Sequence, residues 1–354
     1  MVTGHTGFKG SWLTMWLHEL GAEIIGIGLE PVTSPSLFTI SNIGTKISDL
    51  RIDVRDAVMV RNLIKDEQPD FIFHLAAQSL VRKSYEDTTY TWETNVLGTV
   101  NVLEALKTLE KKCVAVFITS DKCYENVEWL WGYRENDRLG GDDPYSASKA
   151  AAELAIHSYC KSFFKEQNSQ VRITTGRAGN VIGGGDWSQD RVIPDCVKSW
   201  SKNESAILRN PTSTRPWQHV LEPLSGYLSL ASQLYAESTF HGESFNFGPD
   251  AQVERTVMEL VSAMSEHWTD VKWGTDTDPE IIHSEAGLLK LNCDKANTLL
   301  KWQPSLKFEE TVLMTADWYR TYYQSPSEIR ELCISQIDSY VQLARSRNIF
   351  WSIS

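Results

Sequence analysis

The sequence predicts an α/β chain built on a doubly wound parallel sheet, with a smaller, mixed C-terminal domain for substrate. Three observations predict it. Met1-Val2-Thr3 is an apolar start that runs into a glycine-rich turn, Gly4-His5-Thr6-Gly7-Phe8-Lys9-Gly10, and then into a helical pattern. Short apolar runs alternate with helical patterns as far as Thr175, as repeated βαβ units require. After Arg177-Ala178-Gly179-Asn180 the texture changes to loops and brief apolar runs. The 354 residues exceed one average domain of about 150, so two are expected. Residues 1–178, rejoined by 218–248, would bind a dinucleotide; residues 179–217 and 249–354 would bind substrate and supply the C-terminal helices.

Each element has its own reason. Trp12, Leu13, Trp16, Leu17 and Leu20 recur at helical spacing, and Gly21 ends the run. Residues 23–30 read as the second strand. Strand, glycine turn, helix, strand opens a dinucleotide-binding unit, because backbone amides and a helix N-terminus must approach a pyrophosphate without intervening side chains. The spacing is G-x-x-G-x-x-G rather than G-x-G-x-x-G. Only two or three residues precede the glycines, few for a central strand, so further residues are expected ahead of Met1 in the whole protein.

Glu30 ends the second strand and is the candidate for adenosine ribose hydroxyls, although before Pro31 it reads equally well as a solvated loop residue. Residues 50–54 read as the third strand, with Asp53 and Val54 suited to the adenine end. Residues 71–77 form a buried strand whose small terminus, Leu75-Ala76-Ala77, lets a flat cofactor lie against the chain. A loop with Arg82 and Lys83 follows. Val96, Val100, Leu103 and Leu106 mark a helix over 91–109. Val114-Ala115-Val116-Phe117-Ile118 is another buried strand, and it ends in Thr119-Ser120-Asp121-Lys122-Cys123-Tyr124. Polar residues at that end of an α/β strand lie where ligands bind. A Trp-rich insertion (Trp129, Trp131) leads to a helix that opens at Asp142-Asp143-Pro144-Tyr145 and continues to about residue 165.

Tyr145 and Lys149 are four apart and share one face of that helix. An ammonium beside a phenol favours the phenolate, so Lys149 is expected to lower the Tyr145 pKa and make it a usable base near neutral pH. Tyr-x-x-x-Lys arises by chance on surface helices; its company gives it weight. Gly183-Gly184-Gly185-Asp186 is a loop with little claim to be a phosphate site. Arg191, Arg209 and Arg215 are the candidates for a diphosphate, because a guanidinium presents a fork of donors. Each reads equally well as a surface charge, Arg215 least so, since it opens Arg215-Pro216-Trp217-Gln218-His219-Val220 before a strongly helical stretch. Phe245-Asn246-Phe247-Gly248 reads as a strand returning to the sheet. Residues 308–348 are two helical segments parted at Ser325-Pro326.

Composition narrows the classes. Hydrophobic content of 42% and charged content of 23% are ordinary for a soluble globular protein. A net charge of -12 argues against nucleic-acid or anionic-membrane partners. The six cysteines show no C-x-x-C spacing, which argues against zinc and for reduced thiols in the cytoplasm. There is no signal peptide and no apolar run near the ~18 residues of a membrane span.

Gly4-x-x-Gly7-x-x-Gly10, Leu75-Ala76-Ala77, Tyr145-x-x-x-Lys149 and Gly179-Asn180-Val181 together resemble the extended short-chain dehydrogenase/reductase family along nearly the whole chain, and so imply a Rossmann-type fold. Within that family the segments Gly4 to Gly10, 119–126 and 215–220 are most similar to nucleotide-sugar 4,6-dehydratases. The resemblance implies an NAD-dependent hydro-lyase of deoxysugar biosynthesis for bacterial surface polysaccharide, taking CDP-D-glucose to CDP-4-dehydro-6-deoxy-D-glucose and water. It implies cofactor contacts from Gly4, Thr6, Gly7, Phe8, Lys9, Gly10, Glu30, Asp53, Val54, Leu75, Ala76, Ala77, Tyr145 and Lys149. It implies substrate contacts from Asn180, Arg191, Arg209 and Arg215.

The chemistry it implies gives Tyr145, supported by Lys149, the O4 proton, and Ser120 a hydrogen bond to O4. Asp121 protonates the departing C6 hydroxyl and Lys122 removes the C5 proton. Several relatives carry glutamate in place of Lys122. A lysine base must be neutral, which burial and positive neighbours favour; a charged Lys122 would instead stabilise the enolate. His5 and Lys9 stand where small or apolar residues are common among relatives, so NAD retention is expected to be altered. The helices over 91–109 and 145–165 resemble a pair that builds a four-helix dimer interface, which implies a homodimer and leaves a tetramer open. Two other readings remain. Another dehydratase or a 4-epimerase would share Tyr145 and Lys149, but an epimerase needs no Asp121–Lys122 pair. A non-catalytic dinucleotide sensor would have no need of Tyr145 and Lys149. The residues do not show which base is recognised.

Overall fold

The computed structural model describes residues 1–165, 169–249, 255–268, 271–275 and 288–353, and part of the segment assigned to substrate, 249–354, lies outside them. Its strands in chain order are β1 (Val2–Thr3), β2 (Ile25–Gly28), β3 (Ser48–Arg51), β4 (Phe71–His74), β5 (Cys113–Ile118), β6 (Val171–Arg177), β7 (Val181–Ile182), β8 (Ala206–Leu208), β9 (Thr214–Arg215), β10 (Gln218–His219), β11 (Ser244–Asn246), β12 (Arg255–Thr256) and β13 (Trp273–Thr275). Seven make one sheet in the order β11-β6-β5-β4-β1-β2-β3, and every pairing in it is parallel. The other six pair off as β7 with β10, β8 with β13 and β9 with β12.

The helices are α1 (Phe8–Glu19), α2 (Leu37–Ser41), α3 (Ala57–Glu67), α4 (Val81–Glu86), α5 (Thr88–Trp92), α6 (Gly98–Leu106), α7 (Pro144–Tyr159), α8 (Val192–Trp200), α9 (Leu221–Ala236), α10 (Val257–Ser265), α11 (Phe308–Gln324) and α12 (Ile329–Ser346). They cover both faces of the sheet. On one face Trp12, Leu13 and Trp16 of α1 share a core with Leu221 and Leu224 of α9, Trp318 of α11 and Tyr340 of α12. On the other, Val60, Ile64, Val102, Leu103 and Ile156 close over the sheet from α3, α6 and α7. Strand β5 is buried along its whole length, which is why it reads as an unbroken apolar run. The doubly wound parallel sheet expected from the sequence is the fold.

Strand limits are tighter than the sequence suggests. The second strand is Ile25–Gly28, the third stops at Arg51, and the fourth stops at His74, so Glu30, Asp53, Val54, Leu75, Ala76 and Ala77 all sit in the loops beyond their strands. The predicted helix over 91–109 begins earlier, at Thr88, and carries a widened turn at Glu93–Leu97. Asn95 in that turn is buried and bonds Gln78 N and O and Ser148 Oγ at 2.8–2.9 Å. The triple glycine is a packing device: a side chain at Gly184 would overlap the Trp318 indole, and Gly184 O accepts from Trp12 Nε1 at 2.9 Å. Among the described residues no helix is long and apolar enough to cross a membrane.

Candidate active site

Gly4 has φ +72°, and a Cβ there would lie 2.7 Å from Ala76 N, so only glycine closes the turn against the chain leaving β4. A side chain at Gly10 would overlap Gly4 O. Helix α1 starts at Gly7 with no side-chain cap and no acid in its first turn, which leaves its amide dipoles available to an anion. Lys9, in that first turn, reaches among Arg191, Asp121, Lys149 and Asp186. Burial, then Arg191, lower its pKa to about 8 against the pull of Asp121.

Asp143 caps α7 by accepting from Ser146 N at 2.9 Å, and Pro144 takes the first position, a local sequence made for a helix start. Tyr145 and Lys149 are both buried on that helix. Here the structure corrects an expectation: the Tyr145 pKa is raised, not lowered. Burial raises the phenol to about 12; a hydrogen bond with Ser120 and the charge of Arg191 oppose the rise, while Asp121 and Asp143 add to it. The Lys149 ammonium turns toward Ile118 O at 3.5 Å, and burial brings it down to about 8 despite Glu153.

Beyond β5, Ser120 Oγ donates to Asp121 Oδ1 at 2.9 Å and accepts from Lys122 N at 3.2 Å. Asp121 is buried and takes Asn180 Nδ2 on Oδ2 at 3.2 Å. Lys122 is half-buried, and among the described residues its side chain has no hydrogen-bonded or ion-paired partner. Ser120, Asp121, Tyr145, Lys149, Asn180, Lys9 and Arg191 therefore share one cleft at the carboxyl ends of β5 and β6.

The other predicted arginines stand further out. Arg209 pairs with Asp190 at 2.8 Å and Asp195 at 3.5 Å, and Arg82 also meets Asp190, at 2.9 Å. Arg215 lies opposite Arg255 on the β9–β12 pair and donates to Thr214 O at 2.9 Å. Asp53 is held by Arg55: burial opposes its ionisation, but the Arg55 hydrogen bonds win and lower its pKa. Thr6 Oγ1 donates to Leu29 O at 2.9 Å, and Phe8 lies beside Gly183.

A family model described as GDP-mannose 4,6 dehydratase matches residues 1–315. The chain belongs to that family. A CDP-glucose 4,6-dehydratase of Salmonella typhimurium is 47% identical over 325 residues, 91% of this chain and 90% of that one. The solved DesIV dTDP-glucose 4,6-dehydratase from Streptomyces venezuelae, with NAD and TYD bound, superimposes with TM-score 0.73 at 22% identity, covering 94% of this chain and 98% of that one. UDP-glucuronic acid 4-epimerase from Bacillus cereus, in complex with UDP-glucuronic acid and NAD, gives TM-score 0.76 at 21% identity over 91% and 99% of the two chains. These two share the fold.

The 4,6-dehydratase family fold brings in residues that the sequence reading passed over. Glu153, one further turn along the face of Tyr145 and Lys149, makes a buried bidentate pair with Arg177 at 2.8 and 2.9 Å and accepts from Thr119 Oγ1 at 2.5 Å. Arg177 also donates to Tyr124 Oη at 2.7 Å. Gly179 leaves room for the Asp121 carboxyl, which a side chain there would overlap. Helical spacing alone could have found Glu153. Nothing local marks Arg177, whose partners come from other elements, and the Gly179-Asn180-Val181 motif marks Gly179 without showing that its role is to admit Asp121.

Proposed function

We propose that the protein is a CDP-D-glucose 4,6-dehydratase, forming CDP-4-dehydro-6-deoxy-D-glucose and water. The observation that carries this is the convergence of Ser120, Asp121 and Tyr145 in one cleft, with Lys122 next in sequence, in a chain 47% identical to a relative of that name. The residues fit NAD: the side-chain-free turn Gly4-Gly7-Gly10 and the uncapped α1 for the pyrophosphate, Lys9 beside it, and Thr6, Phe8, Glu30, Asp53, Val54, Leu75, Ala76 and Ala77 along the cofactor's length. When bound, NAD supplies a positive charge and a hydride acceptor that takes hydride from C4 and gives it back at C6.

Tyr145 takes the O4 proton as its phenolate, a form that burial opposes and that Ser120, Arg191 and the positive charge NAD would supply favour. A ketone at C4 acidifies the C5 hydrogen. Lys122 removes that proton and later returns it to C5, while Asp121 protonates the C6 hydroxyl so that it leaves as water. One proton is then held by Tyr145 and one is missing from Asp121. The Ser120 hydroxyl, bonded to Asp121 and acting on the Tyr145 phenol, supplies the path that restores the balance. Arg191, Arg209, Arg215 and Asn180 take the sugar diphosphate, Arg209 by exchanging its carboxylate partners for phosphate oxygens.

The dinucleotide domain comprises 1–178 and 218–248, and the substrate domain the remainder. His5 and Lys9 alter NAD retention. The protein acts in the cytoplasm as a homodimer through α5–α6 and α7, where Leu97 and Leu154 are 53% and 60% exposed, and its net charge of -12 fits no nucleic-acid partner. Incubation with CDP-, dTDP-, UDP- and GDP-glucose, read by the alkali-induced chromophore of a 4-keto sugar, tests the function. Turnover of CDP-glucose above the others is expected; no keto sugar from any of them would reject dehydration.

A further inference from the structure

At the adenosine end of the cleft, side chains from the turn, β3 and the loop after β2 interlock. His5 is fully buried, in space that Gly26 leaves free, since a Cβ at 26 would lie 2.5 Å from the His5 ring. Its Nε2 meets Asp49 Oδ1 at 2.7 Å. Arg51 grips the same carboxylate with both terminal nitrogens, at 2.8 and 3.0 Å. Its remaining nitrogen, Nε, donates to Glu30 Oε1 at 2.9 Å. The guanidinium rests on the Phe38 ring at 5.1 Å. Arg51 is the last residue of β3 and lies opposite Gly28, the last residue of β2.

In a dinucleotide fold an acid after the second strand takes the ribose hydroxyls, while an arginine nearby accommodates a 2′-phosphate. Here both are present and bonded to each other. We propose that Arg51 is a masked 2′-phosphate site: Glu30 takes its Nε and Asp49 both terminal nitrogens, so the protein takes NAD and rejects NADP. Two carboxylates against one guanidinium leave surplus negative charge where a phosphate dianion would have to sit. Removing the Glu30 carboxylate frees Nε, which with the adjacent terminal N–H makes a fork that matches phosphate geometry. Asp49 and His5 keep that fork in place from behind. The side chain of Glu30 is 78% exposed and that of Arg51 31%, so a ligand can reach them and the exchange touches no core. This inference rests on the NAD reading given above.

Calorimetric titration of NAD, NADP and adenosine 2′,5′-bisphosphate into the wild-type chain, Glu30→Ser, Arg51→Ser and the double variant tests it. The wild type is expected to prefer NAD to NADP by about tenfold or more, the worth of one charge-assisted hydrogen bond. Glu30→Ser should weaken NAD and strengthen both 2′-phosphate ligands by about tenfold, and the added Arg51→Ser should erase that gain. Equal wild-type affinity for NAD and NADP, or a gain that survives without Arg51, overturns the inference and leaves the NAD reading standing. A wild-type chain that binds neither dinucleotide overturns both.

Discussion

The carboxyl group of Asp121 lies against the α-carbon of Gly179, in space that any side chain at 179 would occupy. The contact joins the end of β5 to the chain leaving β6 and leaves Asp121 two further partners, Ser120 on Oδ1 and Asn180 on Oδ2. Gly179→Ala must therefore push the carboxyl out of line with C6 while leaving Tyr145 and Lys149 on α7 undisturbed. The expected outcome is a fall of about 10²-fold or more in keto-sugar formation, the usual share of a positioned acid. Stopped-flow absorbance should still show reduced cofactor forming from CDP-glucose. Unchanged turnover would remove Asp121 from the elimination.

Lys122 gives the complementary test. Its backbone N–H is tied to Ser120 Oγ at 3.2 Å, so the main chain fixes where its half-buried side chain begins. Lys122→Met keeps the length and removes the amine. Oxidation at C4 should proceed and elimination should stall by about 10²- to 10⁴-fold, with the absorbance of reduced cofactor building up in a single turnover. Dehydration at the normal rate would mean that Lys122 takes no part.

These residues differ in how far the sequence disclosed them. Gly4, Gly7 and Gly10, or Tyr145 and Lys149, declare themselves because each pattern is complete within a few residues of chain. Asp121 and Asn180 stand 59 residues apart, and only the parallel pairing of β5 with β6 makes them neighbours. Strand limits were overrun because an apolar run does not mark where the hydrogen-bond ladder stops; Arg51 closes β3 although Asp53 and Val54 continue the pattern. The pKa of Tyr145 departs from expectation for another reason. Spacing along a helix gives the proximity of two groups but not how deeply the fold buries them, and at Tyr145 burial is the larger effect.

The Glu153–Arg177 pair underlies Lys149 and is itself enclosed. Burial would raise the Glu153 pKa, yet Arg177 and the hydroxyls of Thr119 and Ser244 hold it below the usual range. Arg177→Met should leave an unpaired buried carboxylate and cost about 3–5 kcal/mol, read as a lower midpoint in urea unfolding. Glu153→Leu together with Arg177→Met should recover most of that loss, because two well-packed apolar groups replace the pair. If the double variant is no more stable than the single one, the pair supplies packing rather than charge compensation.

Glu222 offers a test through pH. It lies in the first turn of α9, buried, and accepts from Ser305 N, Leu306 N and Tyr340 Oη at 2.6–3.0 Å, so one carboxylate fastens both the approach to α11 and helix α12. Burial raises its pKa from 4.5 to about 7, against those hydrogen bonds and Arg347. A folded value above the unfolded one means that the native state holds the proton more tightly. Its stabilising contribution is thus complete below pH 4.5 and is lost as pH climbs through about 7, at most about 3 kcal/mol. Glu222→Gln cannot titrate. Urea unfolding at pH 5 and pH 8 should show the wild type losing stability relative to this variant over that interval by up to about 3 kcal/mol, and parallel curves for the two proteins would show that Glu222 folds already ionised.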